Sequence, residues 1–161
     1  MNKIKHLLII ILLGLIYSGL YLSFSGGPPL SNTGGSGDST CSQATCHAGT
    51  ANSGSGKLDL EGVPLFYTPG QIYNLSVILE QSGQKRWGFQ LAARGKSDGM
   101  MTGTLMVGSD GFTQLQQGGN FISHTLVGTR AGTADGPVTF LFSWQAPASN
   151  VGNIIFNVAG N

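Results

Sequence analysis

The amino-acid sequence predicts an all-β protein built as a β-sandwich of about eight short strands. Charged residues make up only 9% of the 161-residue chain, against about 25% in a typical soluble protein. From Lys57 to Asn161, short apolar runs alternate with Gly, Pro, Asn and Asp turn residues at the spacing expected of a sandwich. Helices depend on Ala, Leu, Glu and Lys, so this Gly- and Thr-rich composition favours strands.

The predicted strands follow one another along the second part of the chain. In "RWGFQLAAR", for example, Trp87, Phe89 and Leu91 share one face at a period of two. The expected strand segments are KLDLEG, QIYNLSVILE, RWGFQLAAR, TGTLMVG, GFTQLQQ, NFISHTLVG, GPVTFLFSWQAP and GNIIFNVAG. The side chains expected in the interior are Val77, Leu79, Trp87, Phe89, Leu91, Phe140, Phe142, Trp144, Ile155 and either Phe156 or Val158. Burying about ten such side chains at roughly 1.5–3 kcal/mol each gives enough gross driving force to fold without the cysteines.

Residues 1–24 are expected to form a signal peptide or a membrane anchor helix. Lys3 and Lys5 precede residues 7–24, which carry no charge. A cleavable signal has an apolar region of about 7–15 residues, whereas about 18 or more can span a bilayer. The lack of a clean small-residue cleavage site favours an uncleaved anchor, and removal remains the alternative. Lysines before the run keep the N terminus cytoplasmic, so the rest is expected in the periplasm or at the cell surface.

Residues 25–56 are expected to be a Gly/Ser-rich linker that carries the motif Cys-x4-Cys-His. Pro28 and Pro29 stiffen its first part locally, and the glycines loosen the rest. The sandwich domain is assigned to residues 57–161.

The motif "CSQATCH" holds both cysteines of the chain, Cys41 and Cys46, followed directly by His47. A c-type haem needs two thiols for its vinyl groups and an imidazole to ligate the iron, which is why Cys-x-x-Cys-His indicates attachment. Cysteines five apart on a regular helix differ by about 140°, so "SQAT" must loop out before both thiols reach one porphyrin. We expect one haem c here, and His47 as its proximal ligand.

Two other uses of these cysteines remain open. Outside the cytoplasm a pair of cysteines commonly forms a disulfide. A zinc site would need four ligands, and only Cys41, Cys46, His47 and His124 could supply them.

His124, in "NFISHTLVG", is the favoured candidate for the distal iron ligand. The competing interpretation is an ordinary strand histidine with its hydrogen bonds satisfied. Further candidates for this position are Met100, Met101 and Met106. A basic group near the Trp87 strand could neutralise haem propionates, although a solvated turn is favoured for these side chains; it consists of Lys85, Arg86 and Arg94.

Several functions are disfavoured by the composition and motifs. The formal net charge is +1 with no basic face, so nucleic acid is not an expected partner. The sequence has no paired carboxylates, nucleophile elbow or Gly-rich phosphate loop. An electron carrier is therefore favoured over an enzyme.

Several strand segments together resemble the Reelin-type (Reeler) domain, in particular bacterial relatives in which a short Cys-His haem-like motif precedes the sandwich. The segments are "YTPGQIYNLSV", "KRWGFQLAAR", "GTLMVG", "ISHT", "FSWQAP" and "VGNIIFNVAGN". This resemblance implies an immunoglobulin-like β-sandwich, with residues 67–70 opening a strand and residues 144–147 entering the last hairpin. It also implies haem attachment at Cys41, Cys46 and His47.

The expected function is extracytoplasmic electron transfer by a c-type haem protein, with a redox protein as its partner. Residues 7–24 would hold it to the membrane if they are not cleaved. The alternative is a redox-inert binding or adhesion module in which Cys41 and Cys46 form a disulfide.

Overall fold

The computed structural model describes residues 24–42, 47 and 49–161. Its fold is a sandwich of two four-stranded antiparallel sheets, which confirms the predicted all-β class. The strands are β1 Lys57–Glu61, β2 Ile72–Glu80, β3 Phe89–Gly95, β4 Thr104–Val107, β5 Thr113–Gln116, β6 Phe121–His124, β7 Val138–Gln145 and β8 Ile154–Gly160. Seven of them fall within a predicted segment, and β3 extends one residue beyond its segment, to Gly95.

The first sheet, sheet A, has the strand order β1-β2-β7-β4, and the second, sheet B, has the order β5-β6-β3-β8. Two short 3-10 turns, Gln117–Gly119 and Val127–Thr129, flank β6. The edge strands of the described part of the chain are therefore β1 and β4 in sheet A, and β5 and β8 in sheet B.

The interior lies between the two sheets and follows the period-two pattern of the sequence. Most of the predicted interior residues are at most 4% exposed, namely Val77, Leu79, Trp87, Phe89, Leu91, Phe140, Phe142 and Trp144. Phe156 and Val158 are partly buried and pack against this core.

The prediction for Ile155 is wrong, because this side chain is 40% exposed. Ile155 pairs with Arg94 across the β3–β8 ladder, whereas Phe156 pairs with the core residue Ala93. Directly opposed side chains share a face of the sheet, so Ile155 lies on the outer face of sheet B.

Strand β3 is buried along its whole length on both faces. Its outer face is covered by residues 26–38, which we call the strap. The sequence predicted a flexible or partly extended linker here, yet Asn32 and Thr33 are buried at 7% and 2% exposure. The strap thus forms a third layer on sheet B.

The predicted signal or anchor at residues 1–24 lies outside the described residues, apart from Phe24. Among residues 24–42, 47 and 49–161, no helix has the length and apolar character needed to cross a bilayer.

Candidate functional site

The strap is bound to the outer face of sheet B by glutamine side chains of the strands. Gln90, which is fully buried, accepts the Asn32 N–H at its Oε1 (2.8 Å) and donates from Nε2 to the Pro29 carbonyl (3.0 Å). Gln116 on β5 donates to the Pro28 carbonyl (3.0 Å). Because these amides satisfy the strap backbone, the polar outer face of the sheet is buried at little cost.

A buried ion pair fixes the other end of the strap. The Nη2 of Arg94 donates to Oδ2 of Asp38 (2.8 Å), and the two side chains are only 7% and 5% exposed. The Thr33 hydroxyl donates to the same carboxylate oxygen. The favoured prediction of a solvated turn is therefore wrong for Arg94, because the strap excludes water from it. It holds for Lys85 and Arg86, which are exposed.

The strap crosses sheet B from one edge to the other. Its start hydrogen-bonds β5, where the Gln114 amide donates to the Gly26 carbonyl. Its far end reaches β8, where Gly35 lies so close to Asn157 that an added Cβ would stand 2.4 Å from that side chain. The cysteine motif therefore follows a segment that is anchored to the sheet, not a free linker.

The motif begins three residues after Asp38. Three residues span at most about 10 Å, so Cys41 stays close to the buried ion pair, and it is half-buried. His47 is exposed. The Ser42 hydroxyl, before the second cysteine, donates a hydrogen bond to the carbonyl of Gly49, two residues after His47. Cys46 lies outside the described residues, so attachment of haem through both thiols stays a prediction.

His124 is buried at the end of β6, with 7% exposure. Its Nδ1 lies 3.1 Å from the backbone nitrogen and 3.3 Å from the carbonyl oxygen of Phe89, so it accepts or donates a hydrogen bond according to its tautomer. The imidazole lies against Gly88, where an added Cβ would stand 2.7 Å from the ring. Burial lowers the pKa of His124 below its usual 6.5, and hydrogen bonds to the backbone of Phe89 and Phe24 oppose that shift. The ring is therefore neutral near pH 7.

The role of His124 as distal ligand stays a prediction. A neutral imidazole is the form that ligates iron, and in the tautomer whose Nδ1–H donates to the Phe89 carbonyl (3.3 Å) the lone pair stays on Nε2. Of the alternative ligands, Met100 is exposed, while Met101 and Met106 are half-buried. Within the described residues, no three His, Cys, Asp or Glu side chains come together in a way that could hold a metal ion.

An open groove of about 520 Å³ lies between the loop after β1 and the start of β8. Its most exposed apolar side chains are Leu65 and Phe66, at 90% and 86% exposure, and Trp144 and Phe156 lie deeper in it. No function was predicted for this loop from the sequence. The signal was present in "VPLFY", an apolar run that a proline excludes from a regular strand.

No protein-family model and no curated protein sequence matches the chain. Among solved structures, fragment 2 of the human F-spondin reeler domain is 21% identical with a TM-score of 0.46, and the match covers 64% of this chain and 75% of that one. Fragment 1 of the same domain is 21% identical with a TM-score of 0.47, covering 64% and 72%. The Reelin-N domain of F-spondin is 22% identical with a TM-score of 0.44, covering 64% and 69%. The β-sandwich fold itself rests on the strand pairing described above.

Proposed function

We propose that the chain is an extracytoplasmic electron-transfer protein whose Reeler-type sandwich carries one c-type haem at Cys41 and Cys46, with His47 as an axial ligand. The observation that carries the proposal is the exposed imidazole of His47, directly after Cys46, in a motif that begins three residues beyond an anchored strap. A haem bound there would supply reversible one-electron exchange at iron.

The donor set fits this cofactor. Two thiols can form the thioethers, and the imidazole can approach iron because His47 is exposed among the described residues. Zinc is a poorer fit, since a structural site takes four protein ligands and the motif itself supplies three, Cys41, Cys46 and His47.

The strap supports the proposal by fixing where the motif begins. The buried Arg94–Asp38 pair holds the chain close to Cys41. Electron transfer depends on a cofactor with a defined position and environment, which the protein supplies. The same motif on a free linker would leave the cofactor without a fixed surface beside it.

The distal ligand is proposed separately. His124 remains the candidate: iron would bind at Nε2, while Nδ1–H would donate to the Phe89 carbonyl, which lies 3.3 Å from it. A haem-loaded His124→Ala variant that keeps a six-coordinate, low-spin spectrum removes His124 from this role. Conversion to a five-coordinate spectrum, with the sandwich still folded by circular dichroism, supports it.

The attachment itself is tested by co-expressing the chain with a cytochrome c maturation system. We expect haem that survives a denaturing gel, detected by peroxidase stain, and a reduced α-band. Single Cys41→Ala and Cys46→Ala variants are matched controls, since each removes one thioether. His47→Ala keeps both thiols, so it should retain covalent haem with an altered spectrum.

One observation favours a second candidate, a redox-inert binding module with a Cys41–Cys46 disulfide. The groove beside Leu65 and Phe66 exposes apolar side chains that a ligand or partner could cover. Absence of covalent haem in the maturation experiment, together with an intact disulfide by mass, would refute the haem proposal and favour this module.

A further inference from the structure

Strand β8 presents a backbone edge that no strand of the described residues pairs with. Gly88 and Asn161 exchange two backbone hydrogen bonds (2.8 and 2.9 Å), and the Lys96 N–H donates to the Asn153 carbonyl (2.8 Å). In an antiparallel ladder hydrogen-bonded pairs alternate with non-hydrogen-bonded pairs. The backbone groups of Ile154, Phe156, Val158 and Gly160 therefore point away from β3, and none of them has a hydrogen-bond partner among the described residues.

The other sheet edges carry features that discourage pairing, and β8 does not. Strand β1 reads KLDLE and is charged at alternate positions. Strands β4 and β5 have only four residues each. Strand β8 has seven residues, IIFNVAG, without a charge or a proline. Native proteins normally protect such an edge with charge, proline or short length, so its exposure here indicates a use.

We propose that β8 pairs with β8 of a second copy of this chain, antiparallel about a two-fold axis at Asn157, so that the two B sheets join. This register pairs all the outward-pointing backbone groups. It sets Phe156 opposite Val158 on one face and Ile155 opposite Ala159 on the other. Such aromatic and aliphatic pairs are favourable across a ladder, and no like charges meet. The strand is thus self-complementary, as a two-fold interface requires.

The surroundings of β8 are compatible with this partner. On the outer face, Gly35 lies against Asn157, so the strap has no side chain over the proposed axis at that point. At the Ile154 end, Leu65 and Phe66 extend the apolar surface beside the edge. An uncharged second β8 matches this uncharged edge, whereas a charged strand would be desolvated there without a counter-ion.

Site-specific cross-linking of the full chain tests the register. In a Cys41→Ala/Cys46→Ala background, Asn157→Cys places two thiols directly across the axis, where a disulfide can form. Ala159→Cys is the matched control on the same face, and its two thiols would lie about 13 Å apart. On a non-reducing gel we expect a disulfide-linked dimer for Asn157→Cys and only monomer for Ala159→Cys. Equal cross-linking of the two variants, no cross-link in either, or capture of a different protein would overturn the proposal.

A pair of charge variants keeps the test independent of the cysteines. Ile155→Lys/Ala159→Lys sets lysines opposite each other twice in the dimer, whereas Ile155→Lys/Ala159→Glu sets opposite charges there. We expect the first to dimerise at least about tenfold more weakly than the second, measured by sedimentation. Equal dimer fractions would contradict pairing through β8. Neither result depends on haem, so the failure of one proposal leaves the other standing.

Discussion

Replacing Asp38 by Asn should destabilise the protein by leaving the buried Arg94 guanidinium without a counter-charge. The two side chains are 7% and 5% exposed, and Arg94 Nη2 lies 2.8 Å from Asp38 Oδ2. Removing one partner of such a buried pair typically costs about 3–5 kcal/mol. A domain of this size is stable by only about 5–15 kcal/mol, so the loss is a large share of the total.

Urea unfolding, followed by tryptophan fluorescence, measures this loss in the free energy of unfolding. The matched control is Glu80→Gln, because the Lys57–Glu80 pair (3.5 Å) has side chains 70% and 49% exposed. Solvent screening limits an exposed pair to about 0–1 kcal/mol. We therefore expect Asp38→Asn to lose at least about three times as much free energy of unfolding as Glu80→Gln.

Hydrogen exchange separates undocking of the strap from unfolding of the sandwich. The Asn32 amide donates to Gln90 and should be protected while the strap is bound. In Asp38→Asn we expect this amide to exchange faster. The double variant Asp38→Leu/Arg94→Met removes both charges and should recover most of the stability. A change in Asp38→Asn no larger than in Glu80→Gln, with Asn32 exchange unaltered, would refute the buried ion pair.

Three further predictions concern the sandwich. Burial lowers the pKa of His124 in the folded state, so its proton binds more tightly in the unfolded chain. The free energy of unfolding should therefore be full above about pH 6.5 and fall as the pH drops below it. In urea titrations, His124→Gln should diminish this loss. Gly103→Ala should lower the thermal stability more than Gly111→Ala. Both glycines have positive φ (70° and 75°), but only at Gly103 would a Cβ collide with another residue, 2.2 Å from the Trp144 ring nitrogen. Equal losses in thermal unfolding would argue against that contact. Phe140→Ala should lose about 3–5 kcal/mol in urea unfolding because the side chain is fully buried; a loss below about 1 kcal/mol would contradict its place in the core.

The strands were predictable because each segment alternates apolar and polar residues or is bounded by turn residues. The error at Ile155 has a physical origin: "NIIFNV" places apolar residues at three successive positions, so the period alone does not fix which of them faces inward. The pairing of Ile155 with Arg94 decides which of these residues face the core. That register depends on β3, a strand far away in the sequence.

The strap was not predictable from local composition. Its Gly, Ser and Pro residues are typical of a linker, Gln90 lies in a predicted strand with no partner assigned to it, and a solvated turn was favoured for Arg94. Only the folded chain shows that the Asn32 amide and the Asp38 carboxylate are their partners. A glycine-rich segment can bind through its backbone groups, which hydrophobic patterns do not report.

The strap also links the two proposals in space. It ends at Asp38, whose partner Arg94 stands opposite Ile155 of β8, and Cys41 follows within about 10 Å. A two-fold axis between antiparallel strands is perpendicular to the sheet, so both outer faces of a β8 dimer lie on one side. The two cysteine motifs would then begin on the same side of the joined sheet, each near the axis. Pairing through β8 would thus bring two one-electron centres together, an arrangement that a monomer with a loose haem linker would not provide.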